Sequence, residues 1–324
     1  MTPLLQIRDL TVTFDAGLVR VVDGISLEVM PGEVVGLVGE SGSGKSVTLR
    51  ALLRLLHAAT IGGSVLWKGR DVLAMPDAEL RAMRGRGIAA IFQEPTAALN
   101  PVLPIGLQIE ESLSAHTSLN AAARRRRAVE LLGEVGIPNA SGRLGSYPHE
   151  LSGGQRQRAM IAIALAAGPE LLLADEPTTA LDVTIQDQIL ALLLRLVEDH
   201  RMGLLLVTHD LGVVAETCDR MVVLYAGRVA ESGHVADVFR QPRHAYTDAL
   251  LRSMPGEGTA RTRLAPIPGM PPSLGRPPDS CAFVPRCGHA NPLCTTHRPP
   301  LVEVEPGRPS ACTAWDRLPA RIAA

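Results

Sequence analysis

The residues most able to do chemistry lie in three short segments. Gly39-Glu40-Ser41-Gly42-Ser43-Gly44-Lys45-Ser46 fits G-x-x-x-x-G-K-[ST], follows an apolar run and precedes leucines at helical spacing. In that setting the glycines let backbone N–H groups turn inward on a phosphate chain, and the helix N-terminus adds partial positive charge. Lys45 would neutralise the β and γ oxygens, and Ser46 could ligate magnesium. Leu171-Leu172-Leu173-Ala174-Asp175-Glu176 reads as an apolar strand ending in two acids, with Asp175 near magnesium and Glu176 placed to polarise an attacking water. A strand ending in Asp-Glu says little alone, but with the loop it supplies both things nucleotide hydrolysis needs, a phosphate cradle and a carboxylate for the metal. The third segment, Leu151-Ser152-Gly153-Gly154-Gln155, opens a helical stretch and offers a hydroxyl and backbone donors; by itself it could be only a helix cap.

The elements that must carry these groups are legible from periodicity. Apolar residues largely alternate at Leu5, Ile7, Leu10, Val12 and Phe14, and a Pro31-Gly32 turn precedes the run 34–38. The Gly-rich loop follows that run, and leucines at 49, 52, 53 and 56 predict a helix over 45–57. Further short apolar strands are expected at 88–92, 171–174, 204–207 and 221–224, with helical segments between several of them. They suggest a mostly parallel, buried sheet. Residues 93–169 are Ala-, Leu- and Arg-rich and read as a helical insertion. After about Met254 the chain changes again: 14 of its 25 prolines fall in the last 70 residues, too many for a long helix or central strand, so the tail is expected to be a separate unit.

Composition narrows the function. The chain has 324 residues, 32 basic against 33 acidic side chains, and nine Phe, Trp or Tyr in total. Neither the charge nor the aromatic content offers a surface for nucleic acid. The apolar windows are far shorter than the roughly 20 residues of a membrane-spanning helix, and residues 1–10 lack the order of a signal peptide, so a cytosolic chain is expected. Five cysteines then argue for thiols or metal ligands before disulfides.

The order of the phosphate loop, Leu151 to Gln155, Asp175-Glu176 and a later His209 resembles that of ATP-binding cassette (ABC) ATPases over roughly residues 4–254. The resemblance implies an α/β P-loop NTPase fold of the ABC type with a helical subdomain at about 93–169 and a Pro/Cys-rich C-terminal extension at 255–324. It implies ATP sandwiched between two cassettes, with residues 39–46 of one facing Ser152, Gly153, Gly154 and Gln155 of the other, and hence a dimer. Gln93 resembles the glutamine that approaches magnesium and water and senses the transporter subunit. His209 resembles the switch histidine at the γ-phosphate. Asp182 is similar to the aspartate that communicates across the dimer, and Phe14 is the best candidate to stack on adenine, although an aromatic on a strand is usually core.

Within that family, Ser41 to Arg50, Gln93-Glu94-Pro95 with Leu99-Asn100-Pro101, and residues 175–184 look like dipeptide and oligopeptide importers, and the Ser46-Val47 step resembles their D-type subunit. Cys281-Ala282-Phe283-Val284-Pro285-Arg286-Cys287, then Cys294 and Cys312, is similar to that subfamily's C-terminal extension. The spacing C-x5-C-x6-C-x17-C lacks the paired knuckles of common zinc sites. The resemblance implies a four-iron four-sulfur cluster, with zinc and free thiols as alternatives; Cys218 reads as a packed thiol. Arg124 to Arg127 read as a solvated helix face, with a partner or lipid headgroup as the alternative. The implied function is an ATP-hydrolysing subunit on the cytoplasmic face of the membrane that powers peptide import. Its implied partners are a second ATPase subunit, expected to be a heteropartner, two permeases and a solute-binding protein. Nickel, glutathione or another small solute, or a non-transport ABC ATPase, are the alternatives. DNA-repair or translation ATPases of this type would carry insertions or two cassettes, and a non-hydrolysing subunit would lack Glu176 or His209.

Overall fold

A computed structural model describes residues 2–179, 181–254, 266–272, 275 and 278–321. They form two compact units, each discontinuous in sequence: Met1–Leu4, Met30–Glu33 and Ala74–Leu206 in the first, and Leu5–Val29, Val34–Leu73 and Val207–Ala324 in the second.

The first unit holds the parallel pair Ile88–Ile91 and Leu171–Asp175 in register, Ile88 beside Leu171 and Ile91 beside Ala174. All five residues of the second strand are buried, as expected of a strand covered on both faces. Between them the helical insertion is borne out by Ile105–His116, Ala121–Glu134, Gly153–Leu165 and shorter turns. In Ala121–Glu134 the buried Ala128, Leu131 and Leu132 mark one face, while Arg125, Arg126 and Arg127 point toward solvent or neighbouring acids such as Glu130 and Glu134. The arginine run is thus mainly a solvated face. Helix Val183–His200 buries Ile189, Leu190, Leu192, Leu193, Leu196 and Val197, a 3–4 spacing that gives one apolar stripe.

In the second unit, Val19–Val29, Leu5–Phe14, Thr60–Trp67 and Arg70–Asp71 make an antiparallel sheet in that order. The alternation slips between Ile7 and Leu10 because the register shifts there, with Asp9 at φ 47°; this bulge returns Leu10 and Val12 to the buried face. A second set runs Val34–Val38, Arg220–Tyr225, Arg228–His234, Arg308–Ser310, Val302–Glu305, parallel at the first pairing and antiparallel at the rest. The mostly parallel expectation thus holds for Val34–Val38 with Arg220–Tyr225 and for Ile88–Ile91 with Leu171–Asp175, and fails from Arg228–His234 outward, where the proline-rich tail contributes two short strands. Tail strands were not legible because Pro309 sits within one of them; at a pairing limited to Glu231 beside Ser310, a missing N–H is tolerated.

The helix expected over 45–57 spans only Lys45–Leu52. It ends in a Schellman arrangement: Leu55 N–H donates to the Arg50 carbonyl (2.9 Å) and Arg54 N–H to that of Ala51 (3.0 Å), with Arg54 at φ 50°. Arginine occupies the position where glycine usually signals a stop, so the sequence carried no punctuation.

His244 precedes helix Ala245–Arg252, and its Nδ1 accepts the Tyr246 N–H at 3.0 Å. That cap needs a neutral ring, and burial lowers the His244 pKa to about 4. The folded chain therefore stays unprotonated here while the unfolded chain takes up a proton below about 6.5. The contribution is fully present above pH 6.5 and is lost as pH falls from there toward 4, about 3 kcal/mol at most. Glu231, pushed up to about 8 by burial, has the opposite slope between 4.5 and 8. Comparison with His244→Asn, which keeps a capping acceptor, isolates the histidine: urea unfolding at pH 4.5 and 7 should show a smaller acid-side loss in the variant, and equal losses would contradict the assignment.

Candidate functional site: a phosphate loop and a carboxylate strand

In the second unit the loop between Val34–Val38 and Lys45–Leu52 is shaped by three glycines at positive φ, Gly39 (153°), Gly42 (78°) and Gly44 (99°). At Gly39 a Cβ would stand 2.3 Å from the Leu224 carbonyl oxygen and 2.8 Å from Ser43 Oγ, and at Gly44 2.9 Å from the Val21 carbonyl oxygen. Only glycine fits these two turns. Lys45, at 6% exposure, points its Nζ back across the loop onto the carbonyl oxygens of Gly39 (2.7 Å) and Glu40 (3.0 Å). The first N–H groups of the helix have no intrahelical acceptor by geometry, Ser46 is half-buried at its first turn, and Ser43 Oγ is buried without a hydrogen-bond partner. Together, an inward-turned backbone, a lysine ammonium and an orphaned hydroxyl suit a polyphosphate. Ser41 is exposed on the loop.

His209 is exposed directly after strand Gly203–Thr208, while Asp210 caps helix Leu211–Thr217 by accepting from Gly212 N–H. Phe14 is half-buried at the end of its strand and followed by Asp15 and Ala16 at positive φ.

In the first unit Asp175 ends its strand at 3% exposure, and Glu176 follows at φ 46°, a left-handed backbone that glutamate rarely adopts. That strained turn carries the carboxylate out of the strand. Gln93 Nε2 donates to Glu176 Oε2 at 3.2 Å and Thr179 Oγ1 donates to the same oxygen at 2.8 Å. Gln93 and Glu176 are thus brought together as one polar pair, with Asp175 adjoining.

Ser152 caps helix Gly153–Leu165, its Oγ accepting from Gln155 N–H while Gln155 Oε1 accepts from Ser152 N–H. The cap reading is thus met, and the helix N-terminus is exposed at Ser152 and Gly153. Gly154 is required for packing: a Cβ would meet Ile185 Cγ2 at 2.8 Å. Asp182 caps Val183–His200 by accepting from Ile185 N–H at 2.9 Å.

Cys281, Cys287, Cys294 and Cys312 line one cavity of the second unit, with His244, Phe283 and His289. Burial is the largest influence raising the pKa of Cys281, Cys287 and Cys312. Cys294 Sγ lies 3.1 Å from Thr313 Oγ1. Among the described residues no group of three or more His, Cys, Asp or Glu stands close enough to hold one metal ion. Among the described residues the four cysteines share a cavity but form no ready-made metal shell, for a zinc ion or for a cluster. Cys218 is packed as expected, with burial raising its thiol pKa to about 11.

A model of the ABC transporter family matches residues 22–179, and one of the oligopeptide/dipeptide transporter C-terminal region matches residues 230–294. A peptide ABC transporter ATP-binding protein of Sinorhizobium fredii is 48% identical over 315 residues, 95% of this chain and 94% of that one. A peptide import ATP-binding protein of Brucella melitensis is 50% identical over 335 residues, 98% and 99% of the two chains. The chain belongs to the ATP-binding proteins of ABC transporters. Its fold agrees: an ATP-binding cassette dimer in a post-hydrolysis state with ADP and Pi superposes with a TM-score of 0.64 at 31% identity, over 71% of this chain and 98% of that one. The Clostridium perfringens protein cbiO1, part of an ABC transporter complex, gives 0.64 at 26% identity over 74% and 91%. No helix among the described residues of the ABC protein is long and apolar enough to cross a membrane.

Sequence reasoning passed over Glu40, Tyr246 and Arg286. Glu40 occupies one of the four variable places of the loop pattern, and Arg286 lies between two cysteines of the tail pattern. The loop contact of each depends on a fold-back that no local pattern announces.

Proposed function

We propose that this chain is an ATP-hydrolysing subunit that powers import of di- or oligopeptides through a membrane ABC transporter, acting peripherally at the cytoplasmic face. The observation that carries the reading is the glycine cradle with Lys45 at its mouth, in a chain that also holds a strained, hydrogen-bonded Glu176. The names of its relatives and the match of residues 230–294 support the solute class. As sequence modules, residues 1–254 form the cassette and 255–324 the importer extension.

In this reading Gly39, Ser41, Gly42, Ser43, Gly44 and Lys45 hold the phosphates of ATP, and Ser46, Asp175 and Gln93 hold magnesium directly or through water. Magnesium supplies charge neutralisation at the phosphates. Glu176 takes a proton from the attacking water or orients it, His209 steadies the γ-phosphate, and Phe14 stacks on the adenine. Ser152, Gly153, Gly154 and Gln155 face the ATP of a second ATPase subunit, with Asp182 communicating across the dimer. Two permeases and a solute-binding protein complete the importer. Cys281, Cys287, Cys294 and Cys312 would hold a four-iron four-sulfur cluster, which could stiffen a segment poor in regular structure.

Phosphate release by the purified full chain tests the reading. Hydrolysis should require both ATP and Mg2+; release that is unchanged when Mg2+ is chelated, or no release with either this chain or its co-purified partner subunits, would contradict it.

A further inference from the structure

The phosphate loop is held from behind by the cysteine segment. Arg286, between Cys281 and Cys287 with a side chain only 3% exposed, grips the Glu40 carboxylate with both terminal nitrogens, Nη1 to Oε2 at 2.6 Å and Nη2 to Oε1 at 2.8 Å. Its Nε donates to the Pro268 carbonyl oxygen at 2.9 Å and Nη1 also reaches the Tyr225 hydroxyl at 3.3 Å. The bidentate fork fixes the carboxylate in direction as well as distance. The Glu40 backbone is held as well, its N–H donating to the Tyr246 hydroxyl at 2.9 Å. Tyr225, Tyr246 and Phe283 pack edge to face or tilted, with centroids 4.5 to 5.4 Å apart, so both tyrosine anchors share one rigid aromatic base with the extension.

The consequence runs one step further along the loop. The Glu40 carbonyl, with that of Gly39, is where Lys45 Nζ rests. Arg286 therefore fixes Glu40, and Glu40 fixes the carbonyls that place the lysine ammonium. We propose that Arg286 is a positioning residue for the phosphate loop: the C-terminal extension sets nucleotide affinity through the Arg286 to Glu40 pair. The inference rests on the reading of residues 39–46 as an ATP site.

The test is calorimetric titration of Mg·ATP into the full-length chain, with steady-state hydrolysis beside it. Arg286→Ala and Glu40→Gln should each weaken ATP binding about tenfold, and the double variant should be no weaker than the worse single, because both remove one coupled contact. KM for ATP should rise with kcat within about twofold, the pattern of lost ground-state positioning. Arg286→Lys, which keeps the charge without the fork, should lie between wild type and alanine. Because Glu40→Gln leaves the extension's own residues intact, it reports on the loop even where Arg286→Ala fails to fold. Wild-type affinity in folded Glu40→Gln or Arg286→Lys together with Arg286→Ala, or additive losses in the double variant, overturns the inference. Wild-type protein that does not bind ATP overturns instead the reading of the loop beneath it.

Discussion

Replacing Glu176 by glutamine is expected to leave ATP binding intact and to slow hydrolysis by about 10²- to 10³-fold, within the range for loss of a positioned general base. Glutamine matches glutamate in size and keeps an oxygen that can accept from Gln93 and Thr179, the two donors that now converge on Oε2. What it lacks is the capacity to take a proton. The left-handed backbone at residue 176 is set by the turn after Leu171–Asp175 and should persist, so the loss would be chemical in origin. The expected signature is a full-affinity ATP complex with almost no phosphate release, measured by titration and by a coupled phosphate assay on the same preparation. Hydrolysis near the wild-type rate would remove Glu176 from the mechanism and leave the strained turn without a functional account.

The second large effect is expected at Lys45, where alanine should weaken ATP binding by about 100-fold, as loss of a strong charge-assisted contact does. The lysine stem is buried in the loop and its ammonium rests on the Gly39 and Glu40 carbonyls, so its position is fixed before any phosphate arrives. A preplaced charge loses little side-chain entropy on binding. Titration of Mg·ATP into Lys45→Ala reads the effect directly, and far-ultraviolet circular dichroism checks that the helix Lys45–Leu52 remains. Affinity equal to wild type would mean that the loop is not the phosphate site.

Much of this was legible in the residues themselves. The phosphate loop combines glycines, a lysine and a serine at a spacing that few structural needs impose, and the observed clashes at Gly39 and Gly44 give the physical reason for the glycines. Asp175 and Glu176 were legible because an apolar run of buried-strand length ends there. Ser152 and Asp182 were legible as motif positions, and what the structure adds is that each caps the helix that follows it. The helix end at Leu52 was hidden because an arginine adopts the left-handed turn, and the bulge at Asp9 because alternation resumes after it. The tail was the least legible part. Its prolines correctly argued against long elements, but its strands borrow the edge of Arg228–His234, and its anchors, Arg286 on Glu40 and Arg298 on Asp23 at 2.8 Å, pair residues more than 240 positions apart. Local composition cannot encode such pairings; they follow from the fold-back of the extension onto the second unit.

The central claim is that ATP turnover by this chain drives peptides into the cell. Uptake of radiolabelled di- and tripeptides in cells deleted for the chain, complemented with the wild-type gene or with Glu176→Gln, tests it most directly. Uptake should fall on deletion and return with the wild type but not with Glu176→Gln. Undiminished peptide uptake in the deletion, with loss of nickel or glutathione uptake in its place or of no uptake at all, would contradict the account.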